Sequence, residues 1–174
     1  GDPRKNLYTL LEAYSKLKWN LYQNYTLVIA GKLLELEIQR LNSWIDLFNI
    51  EPEKIIILGY VSDQELVTLY KRCSLFVFPS LHEGFGLPVL EAMSCGAPVI
   101  ASNTTSLPEL LGSKEAMFDP NDFRSIKNLM ERSLENSQFI KFLLNNSREQ
   151  SLKFSWENTA SLVFKAIDQV LVKK

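Results

Sequence analysis

The residues best suited to chemistry are concentrated in one stretch, Pro79-Ser80-Leu81-His82-Glu83-Gly84-Phe85-Gly86-Leu87-Pro88, followed by Val89-Leu90-Glu91-Ala92-Met93. Two glycines flanking an aromatic, ahead of a proline-led helix, let backbone N–H groups come close to a ligand at a helix N-terminus, a favourable place for phosphate or sugar oxygens. Glu83 in the loop and Glu91 in the first turn of the expected helix bracket this cradle. Both carboxylates can face a ligand lying across it and accept from sugar hydroxyls. Structural readings stand beside the functional ones: Glu91 at the positive end of a helix dipole, Glu83 as a solvated loop charge. A dinucleotide fingerprint would need a third glycine at Val89, and a P-loop would need Gly-Lys-Ser/Thr; neither is present. Arg4 and Lys5 are expected in the first turn of an N-terminal helix, where cations oppose the macrodipole unless an anion joins them. The alternative is a pair of exposed basic residues without a role.

Four short apolar runs must position this loop: 25–30, 55–58, 75–78 and 98–101. Each ends at or near a glycine or proline or runs into polar sequence, and they read as strands buried on both faces. Helical patterns lie between them at 33–48, 65–72 and 88–95. The first element is also helical, because Leu7, Leu10, Leu11, Tyr14 and Leu17 share a face, with Asp2 as N-cap and Pro3 as the first helical residue. Ser62-x-x-Glu65 and Ser106-x-x-Glu109 read as capping boxes that start two helices. After a short apolar segment near Met117 the pattern is helical over 123–134, 139–152 and 156–172. Alternation of strand and helix with short connections implies right-handed crossovers, one parallel sheet and helices on both faces, an α/β Rossmann-like fold. Ligands in such folds bind beyond the carboxyl ends of the strands, here the loops after Ala30, Leu58, Phe78 and Ala101.

The bulk numbers exclude several classes. At 174 residues with 46% apolar content, the chain suits one well-buried domain. Nineteen Lys+Arg against twenty Asp+Glu give a net charge of -1, so no global field draws in a polyanion and nucleic acid is not an expected partner. Cys73 and Cys95 are too far apart for a Cys-x-x-Cys motif, and His82 is the single histidine, so a His/Cys metal site lacks its ligand set. Both thiols are expected to be buried and reduced. No apolar run approaches the ~20 residues of a membrane span, and no charged-then-apolar leader opens the chain, which fits a cytoplasmic protein. A start at Gly1-Asp2-Pro3, without an initiator Met and already at the edge of a helix, reads as a piece of something longer.

An ordered series of motifs runs through nearly the whole chain: Arg4-Lys5-Asn6, Ile29-Ala30-Gly31, Leu58-Gly59-Tyr60-Val61, Phe78-Pro79-Ser80, Glu83-Gly84-Phe85-Gly86-Leu87-Pro88, Glu91-Ala92-Met93, Gly96-Ala97-Pro98-Val99-Ile100 and Phe154-Ser155-Trp156. In this series, centred on a Glu-x7-Glu motif, the chain resembles the C-terminal domain of family 4 retaining glycosyltransferases. The resemblance implies a GT-B enzyme of two Rossmann-like domains facing a cleft, with residues 1–174 forming the nucleotide-sugar-binding C-terminal domain. It implies Lys5 on the donor diphosphate and Glu83 beside the transferred sugar, these two being the catalytic candidates. It implies backbone groups of Gly84, Phe85, Gly86 and Leu87 on sugar hydroxyls and phosphate, and Glu91 on the ribose hydroxyls. Gly31 and Val61 would line the substrate site, with Val61 bordering the nucleobase. Asp63 matches a position that can touch the base and is equally well explained as a helix-start acid. His82 matches no catalytic position and is expected to pack within its loop. The family's diphosphate Arg, its first strand and its whole N-terminal acceptor domain match nothing here and would precede Gly1.

The activity so implied is transfer of a sugar from a nucleoside diphosphate sugar to an acceptor hydroxyl with retention, in cell-surface polysaccharide or glycolipid synthesis. No cofactor or metal is expected. The partners are the donor, a sugar, lipid-linked or polysaccharide acceptor, and the missing domain, through which the enzyme could sit peripherally at the inner face of a membrane. The isolated domain is expected to be inactive. A nucleotide-sugar-binding module without activity and an epimerase of the same fold are the rival readings.

Overall fold

The structure is a computed structural model and describes residues 2–171. The chain runs α1 (Leu7–Ser15), α2 (Trp19–Asn24), β1 (Leu27–Ala30), α3 (Glu35–Leu47), β2 (Ile55–Gly59), α4 (Asp63–Arg72), β3 (Phe76–Phe78) and α5 (Leu87–Ser94). It continues through β4 (Val99–Ser102), α6 (Leu107–Leu111), β5 (Met117–Phe118), α7 (Phe123–Glu135), α8 (Ser137–Ser151) and α9 (Trp156–Leu171). The expected strand and helix alternation is therefore present. The six-residue α2, which carries no side-chain cap and buries only Leu21 and Tyr22, left no periodic pattern long enough to read.

All strand pairs among the described residues are parallel, as expected of a Rossmann-like α/β fold with helices on both faces. They do not form one hydrogen-bonded sheet. β1 pairs with β2, placing Leu27 opposite Ile55, and β3, β4 and β5 form a second sheet with Phe76 opposite Val99 and Ala101 opposite Met117. No ladder joins β1 to β3 among the described residues. Helix α1 links the two sheets instead. At its start, the Asn6 amide donates to the carbonyls of Pro79, just past β3, at 3.1 Å, and of Pro120, just past β5, at 2.8 Å. Near its end, the Tyr14 hydroxyl is 2.7 Å from the Tyr25 carbonyl and 3.0 Å from that of Lys54, just before β1 and β2. Burial lifts the Tyr14 pKa to about 12, so this hydroxyl keeps its proton. Helix α1 thus runs from the carboxyl end of one sheet to the amino end of the other.

The core is built from Leu10, Leu11 and Tyr14 of α1, all four residues of β4, and apolar residues of α5, α6, α7 and α8. β4 is buried on both faces as expected. β1 and β2 are not, since Val28, Ile56 and Leu58 remain 43%, 46% and 41% exposed. Their alternate residues Ile29 and Ile55 are buried, giving a period-2 pattern rather than full enclosure. Every described side chain of α9 is exposed, and Val172, the expected end of that helix, lies outside the described residues.

The Ser62 capping box forms as read: the Glu65 N–H donates to the Ser62 hydroxyl and the Ser62 N–H to the Glu65 carboxylate at 2.7 Å. The Ser106 box does not. Ser106 precedes α6 in a helical conformation and makes no side-chain cap. Asp2 and Pro3 begin a separate 3-10 turn over Pro3–Lys5, and α1 starts afresh after Asn6 in the left-handed region. Arg4 and Lys5 therefore lie in that turn, ahead of α1 and outside its first turn.

Candidate functional site

The Pro3–Lys5 turn brings Lys5 to the loop after β3. Its Nζ donates to Glu83 Oε1 at 2.7 Å and sits 5.5 Å from the Phe78 ring centre. Arg4 is held away by its ion pair with Asp2 at 2.6 Å, while its carbonyl accepts from the Leu81 N–H at 2.7 Å. Ser80, fully buried, has three oxygens around its hydroxyl: Glu83 Oε1 at 2.7 Å, the Arg4 carbonyl at 2.9 Å and the His82 carbonyl at 3.4 Å. A hydroxyl has one proton to donate. The shortest of these contacts is to the charged carboxylate, so Ser80 and Lys5 together fix Glu83. Burial pushes the Glu83 pKa up, but the hydrogen bonds from Lys5 and Ser80, with the Lys5 charge, outweigh it and hold the carboxyl below its ordinary value. Lys5 thus has its anion within the protein, in Glu83.

Past Glu83 the chain turns into α5 through Gly86, whose φ is +99°. A Cβ there would stand 2.7 Å from Leu107 Cδ2 and 3.0 Å from Leu110 Cδ1. Glycine is required by packing against α6 as well as by the backbone angle. The N–H groups of Gly84, Phe85 and Gly86 have no protein acceptor among the described residues. The Leu87 N–H is open as well, but it is the one such donor in the first turn of α5: Pro88 has none, and the Val89 and Leu90 N–H groups donate to the Gly86 carbonyl at 2.9 and 3.3 Å. Together these backbone donors could receive an anion. Phe85 rests edge-on against Phe154, with ring centres 5.9 Å apart, which anchors this loop to the segment before α9. Leu87 is the first residue of α5 and is exposed.

Glu91 is the fifth residue of α5, one residue further in than expected and just past the first turn, because the helix begins at Leu87. That removes it from the strongest part of the dipole and weakens the helix-start explanation for an acid there. It is exposed, and its Oε2 accepts from the Tyr70 hydroxyl at 3.2 Å, leaving Oε1 for another donor. Tyr70 is buried against Phe76, with ring centres 5.3 Å apart, and burial together with the Glu91 charge raises its pKa well above the usual range. It stays a donor at all working pH values.

The remaining expected positions lie at the carboxyl ends of β1 and β2. The Gly31 N–H donates to the Gly59 carbonyl at 2.8 Å, and Val61 follows two residues on, partly buried. No hydrogen bond among the described residues links Gly31 or Val61 to Glu83 or Glu91. Asp63 is exposed at the first position of α4. His82 is exposed, not packed in its loop, and Cys73 and Cys95 are free but only half-buried. No site role was read from the sequence for Ser80, Tyr70, Thr105 or Ser106, the last of which was expected to cap a helix. Thr105 Oγ1 accepts from the Glu83 N–H at 3.2 Å, and the Ser106 hydroxyl donates to the Phe85 carbonyl at 2.9 Å. Position in the Pro79–Glu83 stretch was a signal for Ser80; nothing local marks the others. The assembled site offers one carboxylate neutralised by a cation, a second exposed carboxylate, and free backbone donors between them.

Residues 1–150 match the family Glycosyl transferases group 1. The serotype-specific mannosyltransferase WbdA of Escherichia coli is 44% identical over 98% of this chain and 21% of its own length. The Escherichia coli O-antigen chain mannosyltransferase B is 38% identical over 95% of this chain and 43% of its own. The chain therefore spans between a fifth and a half of these relatives. Among solved structures, sucrose-phosphate synthase from Thermosynechococcus elongatus superposes with a TM-score of 0.81 at 26% identity, covering 99% of this chain and 44% of that one. Anabaena HepE, solved in complex with UDP and glucose, superposes with a TM-score of 0.83 at 22% identity over 97% and 46%.

Proposed function

Because the chain belongs to the group 1 glycosyl transferases, we propose that it is the donor-binding part of a longer enzyme that transfers a sugar from a nucleoside diphosphate sugar to an acceptor hydroxyl with retention. The observation that carries this reading is the Lys5–Glu83 pair at 2.7 Å beside the free N–H groups of Gly84, Phe85 and Gly86. Breaking a glycosyl–phosphate bond puts negative charge on the leaving diphosphate and positive charge on the sugar ring. Lys5 and the amides would meet the first, and Glu83, freed of Lys5 on the leaving-group side, would meet the second. Glu91 Oε1 would take ribose hydroxyls, with Gly31 and Val61 bordering the base. The reading assigns these charges to protein groups and calls on no metal.

Mannosyltransferase relatives support a hexose as the transferred group, and the O-antigen relative supports a polysaccharide acceptor. The UDP and glucose in HepE support a nucleotide sugar as the ligand. The enzyme would work in the cytoplasm or at the inner face of a membrane; no helix among the described residues is long and apolar enough to cross one. The break between the two parallel sheets fits a doubly wound sheet that lacks one strand at that place. A strand preceding α1 in the longer polypeptide would fill it and deliver a further cation to the diphosphate, and an acceptor domain would precede that strand. With half the cleft elsewhere, this chain alone would bind donor without turning it over. Incubating the full-length enzyme with labelled donor and acceptor, then separating products, tests the reading. Transferred sugar lost in Glu83→Ala supports it. Epimerised donor, or binding without any product, would replace it with the corresponding rival.

A further inference from the structure

Thr105 holds a backbone conformation that its side chain disfavours. Its φ is +53°, in the left-handed region, and the other non-glycine residues there among those described are Asn6 and Asn49. Asparagine visits this region readily, whereas a β-branched residue in it is an outlier that the surroundings must enforce. The residue sits just beyond β4, in a run of three hydroxyls that all reach the loop carrying Glu83. The Thr104 hydroxyl donates to the Ser80 carbonyl at 3.4 Å, Thr105 Oγ1 accepts from the Glu83 N–H at 3.2 Å, and the Ser106 hydroxyl donates to the carbonyls of Phe85 and Glu83 at 2.9 and 3.3 Å. Thr105 alone supplies an acceptor in this set, and it receives the one N–H of the Glu83–Gly86 turn that is not left open for a ligand. A glycine would adopt this φ without strain but has no oxygen to offer.

We propose that Thr105 is a positioning residue for Glu83: its strained backbone aims Oγ1 at the Glu83 N–H and so fixes where that carboxylate meets the transferred sugar. The proposal rests on the reading of Glu83 as the group facing the sugar. It makes Thr105 matter for the sugar part of the donor and not for the nucleotide part, because Glu91 and Tyr70 lie on α5 and α4, away from this contact.

The test uses this chain with three substitutions. Thr105→Ala and Thr105→Ser differ by one oxygen, and Thr105→Gly relieves the backbone. Calorimetric titrations with UDP, UDP-glucose, GDP and GDP-mannose measure affinity, and hydrogen exchange follows the amides of residues 83–86. Thr105→Ala and Thr105→Gly should weaken binding of the preferred sugar conjugate about threefold to tenfold, the range one neutral hydrogen bond carries. Affinity for the matching bare nucleotide should stay within about twofold. Thr105→Ser should restore wild-type behaviour, and Thr105→Gly should melt no lower than wild type while its Glu83 amide exchanges faster. Equal loss for conjugate and bare nucleotide, or Ala and Ser variants that bind alike, would overturn the proposal. If none of the four compounds binds the wild type, the donor reading fails on its own, and exchange still decides: unchanged protection of the Glu83 amide in Thr105→Ala removes the positioning role.

Discussion

Replacing Gly86 and Gly84 one at a time with alanine separates two glycines that the motif makes look alike. At Gly86 the φ of +99° is costly for a residue with a Cβ, by roughly 1–2 kcal/mol. The new methyl would also press on Leu107 and Leu110, from 2.7 and 3.0 Å. Both leucines are essentially fully buried, so relief of the clash must come from repacking α5 against α6, an overpacking cost of about 1–3 kcal/mol. Together these give about 2–5 kcal/mol. For a domain of this size each kcal/mol moves Tm by roughly 2–4 °C, so Gly86→Ala should melt about 4–20 °C lower. At Gly84 a Cβ meets nothing within 4 Å. Gly84→Ala should keep its Tm within about 2 °C, as an open surface change does, yet should weaken nucleotide-sugar binding because its methyl enters the cradle. Thermal melts and urea midpoints measure the first effect, and titration calorimetry the second. Equal Tm shifts for the two variants, or a Gly86→Ala shift below about 2 °C, would refute the packing argument.

Other consequences can be checked on the same chain. Asn6→Ala leaves the carbonyls of Pro79 and Pro120 without their buried donor, and should lower stability by at least about 1–3 kcal/mol in urea titration. Tyr70→Phe frees Glu91 Oε2, and should weaken nucleoside diphosphate binding about twofold to tenfold with little change in Tm. Because the Glu83 pKa is depressed, its ionised form stabilises the fold above the ordinary glutamate value of about 4.3, and that contribution disappears as pH falls through the lowered pKa. The Tm gap between wild type and Glu83→Gln should therefore hold steady from neutral pH to about 5 and close below about 4; a gap that widens on acidification would contradict the Lys5 and Ser80 assignment.

Most of the architecture was legible because β4, α5 and α7 carry strong local patterns: a buried apolar run, a proline-led start after glycine, a wide apolar stripe. The Ser62 box could be read because both partners sit within four residues. The Ser106 box misled for the opposite reason, since its hydroxyl is drawn to the Phe85 carbonyl 21 residues away. The split into two sheets was invisible, because β1 and β3 have strand-like sequences whether or not a ladder joins them. Within the site, Glu83, Glu91 and the glycines were singled out by residue type and spacing, and the roles expected of them came from the family resemblance. Tyr70 and Thr105 meet Glu91 and the Glu83 N–H across 21 and 22 residues of sequence, contacts that no local pattern encodes. The half-burial of β1 and β2 likewise depends on what lies over the sheet and not on the strands' own composition.

The central claim, that Glu83 and Glu91 face different parts of one nucleoside diphosphate sugar, is tested most directly by titrating a nucleoside diphosphate into this chain and its two variants, with folding checked by circular dichroism. The account predicts that Glu91→Ala binds UDP or GDP about tenfold to a hundredfold more weakly, as expected for a lost hydrogen bond to a charged carboxylate, while Glu83→Ala binds within about twofold of wild type. Equal weakening in both variants, or normal nucleotide binding in Glu91→Ala, would contradict it.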